Sequence, residues 1–353
     1  MQLFLSNPLL ILRWLALIGC AAASGQLLHA LAVPAGLFLG PMLTAIAFGV
    51  SGAGLRLHKQ VFRFGQGCVG LMVAHSMSWT VMAALAQSWP VMLITTLLTV
   101  LLSAMVGLAT VRYGGISAAT AAWGTAPGAA SAMVSMAEAH GADPRVVATM
   151  QYVRVVCVVM IGALVSHLLG AGDIASKALV PAASTPAVQL NQLLPCLAVI
   201  VIGITLAAKL PAGALLAPLL IGSALQLSGL MQITLPGWLL AFAYGAIGCY
   251  VGLRFDRATV RYVGSRLPTM IAGATGLIAL CAGCAWLLAW VTGHDFLSMY
   301  LATSPGGLDA MAIIAVETHS DVGLVLAMQT LRLFAVIVTG AFCARQIIRL
   351  AKA

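Results

Sequence analysis

Residues 125–154 of this chain return at 303–332, and the two stretches align without a gap at an offset of 178. Thr125, Pro127, Gly128, Met133, Asp143, Gln151 and Arg154 match Thr303, Pro305, Gly306, Met311, Asp321, Gln329 and Arg332. Pro34-Ala35-Gly36 with Pro41 matches Pro211-Ala212-Gly213 with Pro218 at an offset of 177. So many polar and helix-breaking residues do not recur in register by chance. The chain therefore reads as an internal duplication. Its first repeat covers 1–170, a linker with Pro and Ser covers 171–190, and the second repeat covers 191–353.

What such a unit can fold into follows from its solvent. Only 7% of the 353 residues are charged and 62% are hydrophobic, with a mean hydropathy of +1.07. A soluble domain carries about a quarter charged residues. The chain therefore reads as an all-α integral membrane protein with lipid as its first partner. Apolar segments run at about 9–28, 33–53, 64–85, 90–111, 116–139 and 145–169, then at 191–208, 211–231, 236–254, 268–292, 297–317 and 322–348. Leu17-Ile18-Gly19-Cys20 resembles a lipoprotein cleavage site. Only six residues separate Arg13 from Cys20, fewer than the about 7–15 of an ordinary h-region, so an uncleaved first helix is expected.

Basic residues set the orientation. Six crossings per half would put the basic loops 54–63 and 254–266 on opposite sides, against the positive-inside rule. If the fifth segment of each half only dips in and returns, each half crosses five times and the repeats are inverted. The basic loops, Arg112, Lys209 and the cluster Arg345, Arg349 and Lys352 then share the cytoplasmic face with both termini. Pro127-Gly128 and Pro305-Gly306-Gly307 split those fifth segments into arms of about ten residues, each covering about half the hydrocarbon core. The expected fold is about ten transmembrane helices plus two re-entrant or broken Pro-Gly hairpins, in a bacterial cytoplasmic (inner) membrane.

The chemistry gathers at the breaks, which either kink packed helices or build a site. A helix that restarts after Pro-Gly presents free N–H groups and a positive dipole end, and two such ends make an anion site. Thr125, Ser131, Thr303 and Ser304 add hydroxyls, and Gly128, Gly306 and Gly307 allow close approach. Asp309 stands where the first half has Ser131. It is either a residue of the helix's first turn or a buried carboxylate that carries H⁺ or holds Na⁺. Asp143 and Asp321 open the next helices and are expected to cap them. Gln151 with Arg154, and Gln329 with Arg332, are spaced to share a helix face. Each arginine needs a partner: an anionic substrate, Glu138 or Glu317, or the carbonyls of the break. The seven histidines show no metal-ligand spacing, and Cys281-Ala-Gly-Cys284 sits mid-segment in an apolar run, so no metal, cofactor or enzyme site is expected. The basic loops are too short for a nucleic-acid surface.

These motifs resemble the bacterial AbrB-type membrane proteins, a family with a duplicated membrane domain. The resemblance rests on Pro127-Gly128-Ala129, Gly141-Ala142-Asp143 and Gln151-x-x-Arg154, and on Pro305-Gly306-Gly307, Asp309, Asp321 and Gln329-x-x-Arg332. It covers nearly the whole chain. Members are labelled ammonia monooxygenases or regulators of gene expression. The family is also distantly similar to the cation:proton antiporter/anion transporter group, which implies inverted repeats and broken helices but no particular substrate.

Together these readings point to a secondary transporter of a small organic anion or metabolite. Thr125, Pro127, Gly128, Ser131, Gln151, Arg154, Thr303, Ser304, Gly306, Gly307, Gln329 and Arg332 would line its substrate site, and Asp309 would couple H⁺ or Na⁺. One bundle carrying both hairpins would move against a scaffold of the other helices. The alternative is a membrane-embedded regulator of gene expression without transport. The oxygenase label finds no ligand cluster to support it, and the sequence leaves open whether the chain forms a homo-oligomer.

Overall fold

The computed structural model describes residues 8–128, 130–169, 190–207 and 212–350. Most of the linker at 171–190, together with Lys209 and Pro211, lies outside the described residues. Among the described residues the regular structure is all helical.

The first half supplies α1 (Pro8–Ala30), α2 (Gly36–Val50), α3 (Lys59–His75), α4 (Trp79–Gln87), α5 (Trp89–Gly114), α6 (Ala118–Thr125), α7 (Ala130–Ala139) and α8 (Pro144–Leu168). The second half supplies α9 (Leu190–Leu206), α10 (Gly213–Leu227), α11 (Gly237–Gly252), α12 (Arg257–Val263), α13 (Leu267–Thr292), α14 (Phe296–Thr303), α15 (Leu308–Glu317) and α16 (Val322–Leu350). Helices α5, α6 and α7 begin and end 178 residues before α13, α14 and α15. The duplicated sequence thus builds matching elements, down to the left-handed residues Ala35 and Ala212 that open α2 and α10.

Four helices are long and apolar enough to cross a membrane: Leu9–Ala30, Trp89–Gly114, Pro144–Leu168 and the run Arg257–Thr292. The number rises to six if each of two bent pairs is one span. One of these pairs alters the expected segment 64–85, which is two helices, α3 and α4, rather than one. The break falls at Ser76-Met77-Ser78, where the Ser78 hydroxyl accepts from the backbone N–H of Val81 at 3.3 Å. A serine just before a helical run is a start signal that the hydrophobicity of the segment masks.

The described chain divides into two compact units that cut across the repeats. One comprises Met1–His75 and Ser166–Val260, and so holds the first three helices of each half. The other comprises Ser76–Val165 and Arg261–Ala353, and holds both Pro-Gly breaks.

Within the first unit the halves exchange partners. Helix α2 packs on α11, and α10 packs on α3. Glycine makes these approaches possible. A Cβ on Gly248 would lie 2.4 Å from the Phe38 carbonyl oxygen, and one on Gly70 would lie 2.2 Å from that of Leu215. Backbone cannot yield as a flexible side chain can. Gly70→Ala is therefore expected to destabilise the protein by about 3 kcal/mol. Gly19→Ala, whose Cβ meets nothing within 4 Å, should leave stability unchanged or slightly raised, because alanine favours helix. Thermal unfolding of the two purified variants checks the contrast.

Candidate functional site

The second unit contains two interrupted helices. Helix α6 ends at Thr125 and α7 starts at Ala130; α14 ends at Thr303 and α15 starts at Leu308. At about 1.5 Å per residue the arms span roughly 12–15 Å, half a hydrocarbon core. Each interruption leaves C-terminal carbonyls and N-terminal N–H groups without helical partners.

One side of that deficit is met by the glutamine–arginine pairs. Gln151 Nε2 donates to the carbonyls of Trp123, Gly124 and Ala126 at 2.9, 3.2 and 3.0 Å. Arg154 Nη1 donates to Ala126 at 2.8 Å and to Thr125 at 3.4 Å, while its Nη2 donates to Gln151 Oε1 at 2.6 Å. The second half repeats the arrangement. Gln329 Nε2 donates to Leu301 and Ser304 at 2.8 and 3.0 Å. Arg332 donates to Ser304 at 2.6 Å, to Gly306 at 3.1 Å, and to Gln329 Oε1.

Of the partners open to the arginines on sequence grounds, the structure selects the carbonyls of the breaks. The charge has the right sign, since a helix C-terminus carries about −0.5 of an elementary charge. Gln151, Arg154, Gln329 and Arg332 are all buried. Their outer nitrogens are engaged with the carbonyls of the breaks and, within each pair, with the glutamine Oε1, so they shape the breaks rather than project into open space.

Each break is also packed by the other half. A Cβ on Gly128 would lie 3.1 Å from Val336 Cγ1 of α16, and one on Gly306 would lie 2.8 Å from Val158 Cγ1 of α8. These two contacts are 178 residues apart on both sides. Inside this unit the breaks are reciprocal, each held by its own long helix and touched by its partner's.

The other sequence-designated residues fall around this frame. Thr125 is buried, its hydroxyl donating to Ala121 and its carbonyl accepting from Ser103. Thr303 and Ser304 are buried, and Pro127 and Gly128 form the first bend. Ser131 lies in the first turn of α7. Asp309 lies in the first turn of α15 and is half-buried, with Gly307 at that helix's N-cap. Sequence reasoning passed over Ser103 of α5, which donates to the Thr125 carbonyl, and Tyr300 of α14, whose carbonyl accepts from the Thr303 hydroxyl; Cys281 of α13, read only as part of a CxxC, also offers its carbonyl to that hydroxyl. No local pattern distinguishes them from ordinary residues of an apolar helix.

Asp143 and Asp321 sit at the starts of α8 and α16. Asp143 Oδ1 accepts from the N–H groups of Arg145 and Val146 at 2.9 and 3.2 Å, and Asp321 Oδ1 accepts from Leu324 at 2.9 Å. Both are helix caps. Asp143 has a further tie, because the Tyr262 hydroxyl donates to its Oδ2 at 2.8 Å. Partial burial alone would raise the Asp143 pKa. The Tyr262 hydroxyl, the two backbone N–H groups and the charge of Arg145 outweigh it and hold the carboxyl below its ordinary value.

A depressed carboxyl contributes stability above its unfolded pKa of about 3.9, which is lost as pH falls through the folded value. Tyr262→Phe should therefore be slightly less stable than the parent at pH 7. The two proteins should converge below about pH 4. The effect is small because the group is largely solvated. Melting temperatures across that pH range check it.

The long apolar helices, the duplicated interrupted pairs and their Gln–Arg braces are the setting for comparison with known proteins. A family model described as "Transition state regulatory protein AbrB" matches residues 37–348. The chain belongs to the AbrB family. It is 43% identical over 314 residues to an Escherichia coli (strain K12) protein described as "Putative regulator AbrB", covering 89% of this chain and 90% of that protein. It is 26% identical over 350 residues to "Uncharacterized protein YhjN" of Bacillus subtilis (strain 168), covering 93% and 91% respectively. No solved structure matches the chain.

Proposed function

We propose that this family member is a secondary transporter of a small organic anion or metabolite, coupled to H⁺ or Na⁺. Its two repeats are inverted, with ten crossings and two re-entrant pairs, α6–α7 and α14–α15, in a bacterial inner membrane. Both termini are cytoplasmic, a placement that keeps every basic cluster inside. The unit that holds both breaks carries substrate, and the other unit is scaffold. Access alternates where the two halves meet within the substrate-carrying unit.

The observation that carries this reading is the pair of buried, reciprocal helix interruptions at a 178-residue offset. Irregular backbone at membrane depth is tolerated where protein or a water-filled cavity surrounds it, and transporters use such half-helix ends to hold ions and anionic groups. Here the C-terminal ends are engaged by Gln–Arg pairs. The N-terminal ends of α7 and α15 remain to face substrate, beside Thr125, Ser131, Thr303, Ser304 and Gly307.

A second reading, regulation of gene expression, is favoured by the name of the Escherichia coli relative, "Putative regulator AbrB". Transport accommodates it, because moving a metabolite alters expression indirectly. The test is flux of radiolabelled small carboxylates into proteoliposomes under imposed pH or Na⁺ gradients. Gradient-dependent uptake of at least one is expected; its absence across the panel would defeat the proposal.

A further inference from the structure

The duplicated aspartates that open α8 and α16 share one frame but not one environment. In each, the backbone N–H rests on a hydroxyl at the matching position: Asp143 donates to Thr120 Oγ1 at 3.2 Å, and Asp321 to Ser298 Oγ at 2.8 Å. Each also uses Oδ1 to cap its own helix. The second oxygen sets them apart. Asp143 Oδ2 accepts from the Tyr262 hydroxyl. Asp321 Oδ2 accepts from no described residue. The residue 178 positions before Tyr262 is alanine, which has no hydroxyl to offer.

Neighbouring positions differ in the same direction. Ile116 and Ala142 of the first repeat are buried, whereas their counterparts at the same offset, His294 and Ser320, are half-buried. At this end of the second repeat lies a cavity of about 370 Å³. Asp321, His294 and Ser320 line it together with Ser76, Thr80 and Ser88 around α4. Valine and leucine side chains of α4 and α16 complete its wall. All of these residues belong to the unit that holds the breaks, and none is a break residue.

This lining selects an occupant by charge, size and hydrogen bonding. Asp321 is its acid, and no described lysine or arginine lines it, so a cationic group is favoured over an anionic one. The volume falls within the range of small-molecule sites, about 300–1,000 Å³. A metal ion would find one carboxylate and one imidazole, and among the described residues no group of three His, Cys, Asp or Glu is placed to hold one. Hydroxyls and imidazole can donate as well as accept, which suits the hydroxyls of a ligand.

We propose that this cavity binds a small hydroxylated primary amine of amino-sugar size, with its ammonium on Asp321 Oδ2. The site is separate from the anion site proposed at the breaks. Glucosamine is the probe, and glucose and N-acetylglucosamine, which lack the ammonium, are the controls. The purified full-length protein is unfolded thermally in detergent below about pH 7, where the amine is protonated. Glucosamine hydrochloride is compared with sodium chloride at equal ionic strength. The melting temperature is expected to rise saturably with glucosamine and not with either control. In Asp321→Asn the half-saturating concentration should rise at least about tenfold, the effect of losing a hydrogen bond between charged groups. Asparagine also caps helices, so this variant should fold. Asp143→Asn should leave half-saturation unchanged, because the oxygen it alters is already held by Tyr262.

No stabilisation by glucosamine, or the same stabilisation by N-acetylglucosamine, would overturn the proposal on the parent protein alone. Equal weakening in the two aspartate variants would overturn it too, since the effect would then be one of net charge. No gradient, carboxylate or bilayer enters this assay. It and the transport test can therefore fail separately.

Discussion

Arg332→Leu is expected to yield little folded protein, and Arg154→Leu to be nearly as damaging. Leucine fills much of the same space but leaves two buried acceptors, the carbonyl of Gly306 and Gln329 Oε1, without their arginine bonds, and removes one of the two bonds at the Ser304 carbonyl. An orphaned buried acceptor costs about 1–3 kcal/mol, and breaking a buried charged network about 3–5 kcal/mol. Against a total stability of about 5–15 kcal/mol, that is a large fraction. Lysine should rescue only in part. Its point charge compensates the helix ends but lacks the planar fork that reaches two carbonyls and an amide together. Size-exclusion profiles and melting temperatures in detergent would rank the parent first, lysine next and leucine last. A leucine variant that melts within a degree or two of the parent would show that the Gln–Arg braces do not hold the breaks.

Much of this geometry is legible in the chain before folding. The gapless 178-residue offset picks out both interruptions, and the spacing of Gln151 with Arg154 puts them on one face of α8. That the pair faces carbonyls was one of three open choices. Spacing along one helix cannot say what a side chain meets on another. The division into three helices and five from each half is not written locally at all. It depends on which helices approach most closely, and that depends on single glycines such as Gly70 and Gly248 meeting carbonyls from the other half. The break between α3 and α4 was hidden for a related reason. Its serines lie inside a run whose overall apolarity reads as one segment. Ser103 and Cys281 reach the breaks only through tertiary packing, from α5 and α13, so spacing along the chain could not place them there.

Asp309→Asn should abolish gradient-driven accumulation while leaving exchange of substrate across the membrane largely intact. The two halves are nearly matched in polar residues at the breaks, yet only α15 has an acid in its first turn; α7 has Ser131 there. Stability is a weak reason for that difference. A carboxylate near a helix N-terminus contributes about 0.3–1 kcal/mol, so the asparagine variant should fold. Coupling is a stronger reason, because a carboxylate can take up a proton or ligate Na⁺ and a neutral amide can do neither well. With proteoliposomes that accumulate a carboxylate under a pH or Na⁺ gradient, the variant's accumulation should drop at least about tenfold, the equivalent of 1.4 kcal/mol of lost coupling. Counterflow measured without a gradient should stay within a few-fold of the parent, since the N-terminal ends of α7 and α15 remain. Undiminished accumulation would remove Asp309 from the coupling role while leaving the transport reading intact. Loss of counterflow as well would instead move Asp309 from ion coupling to the substrate site itself.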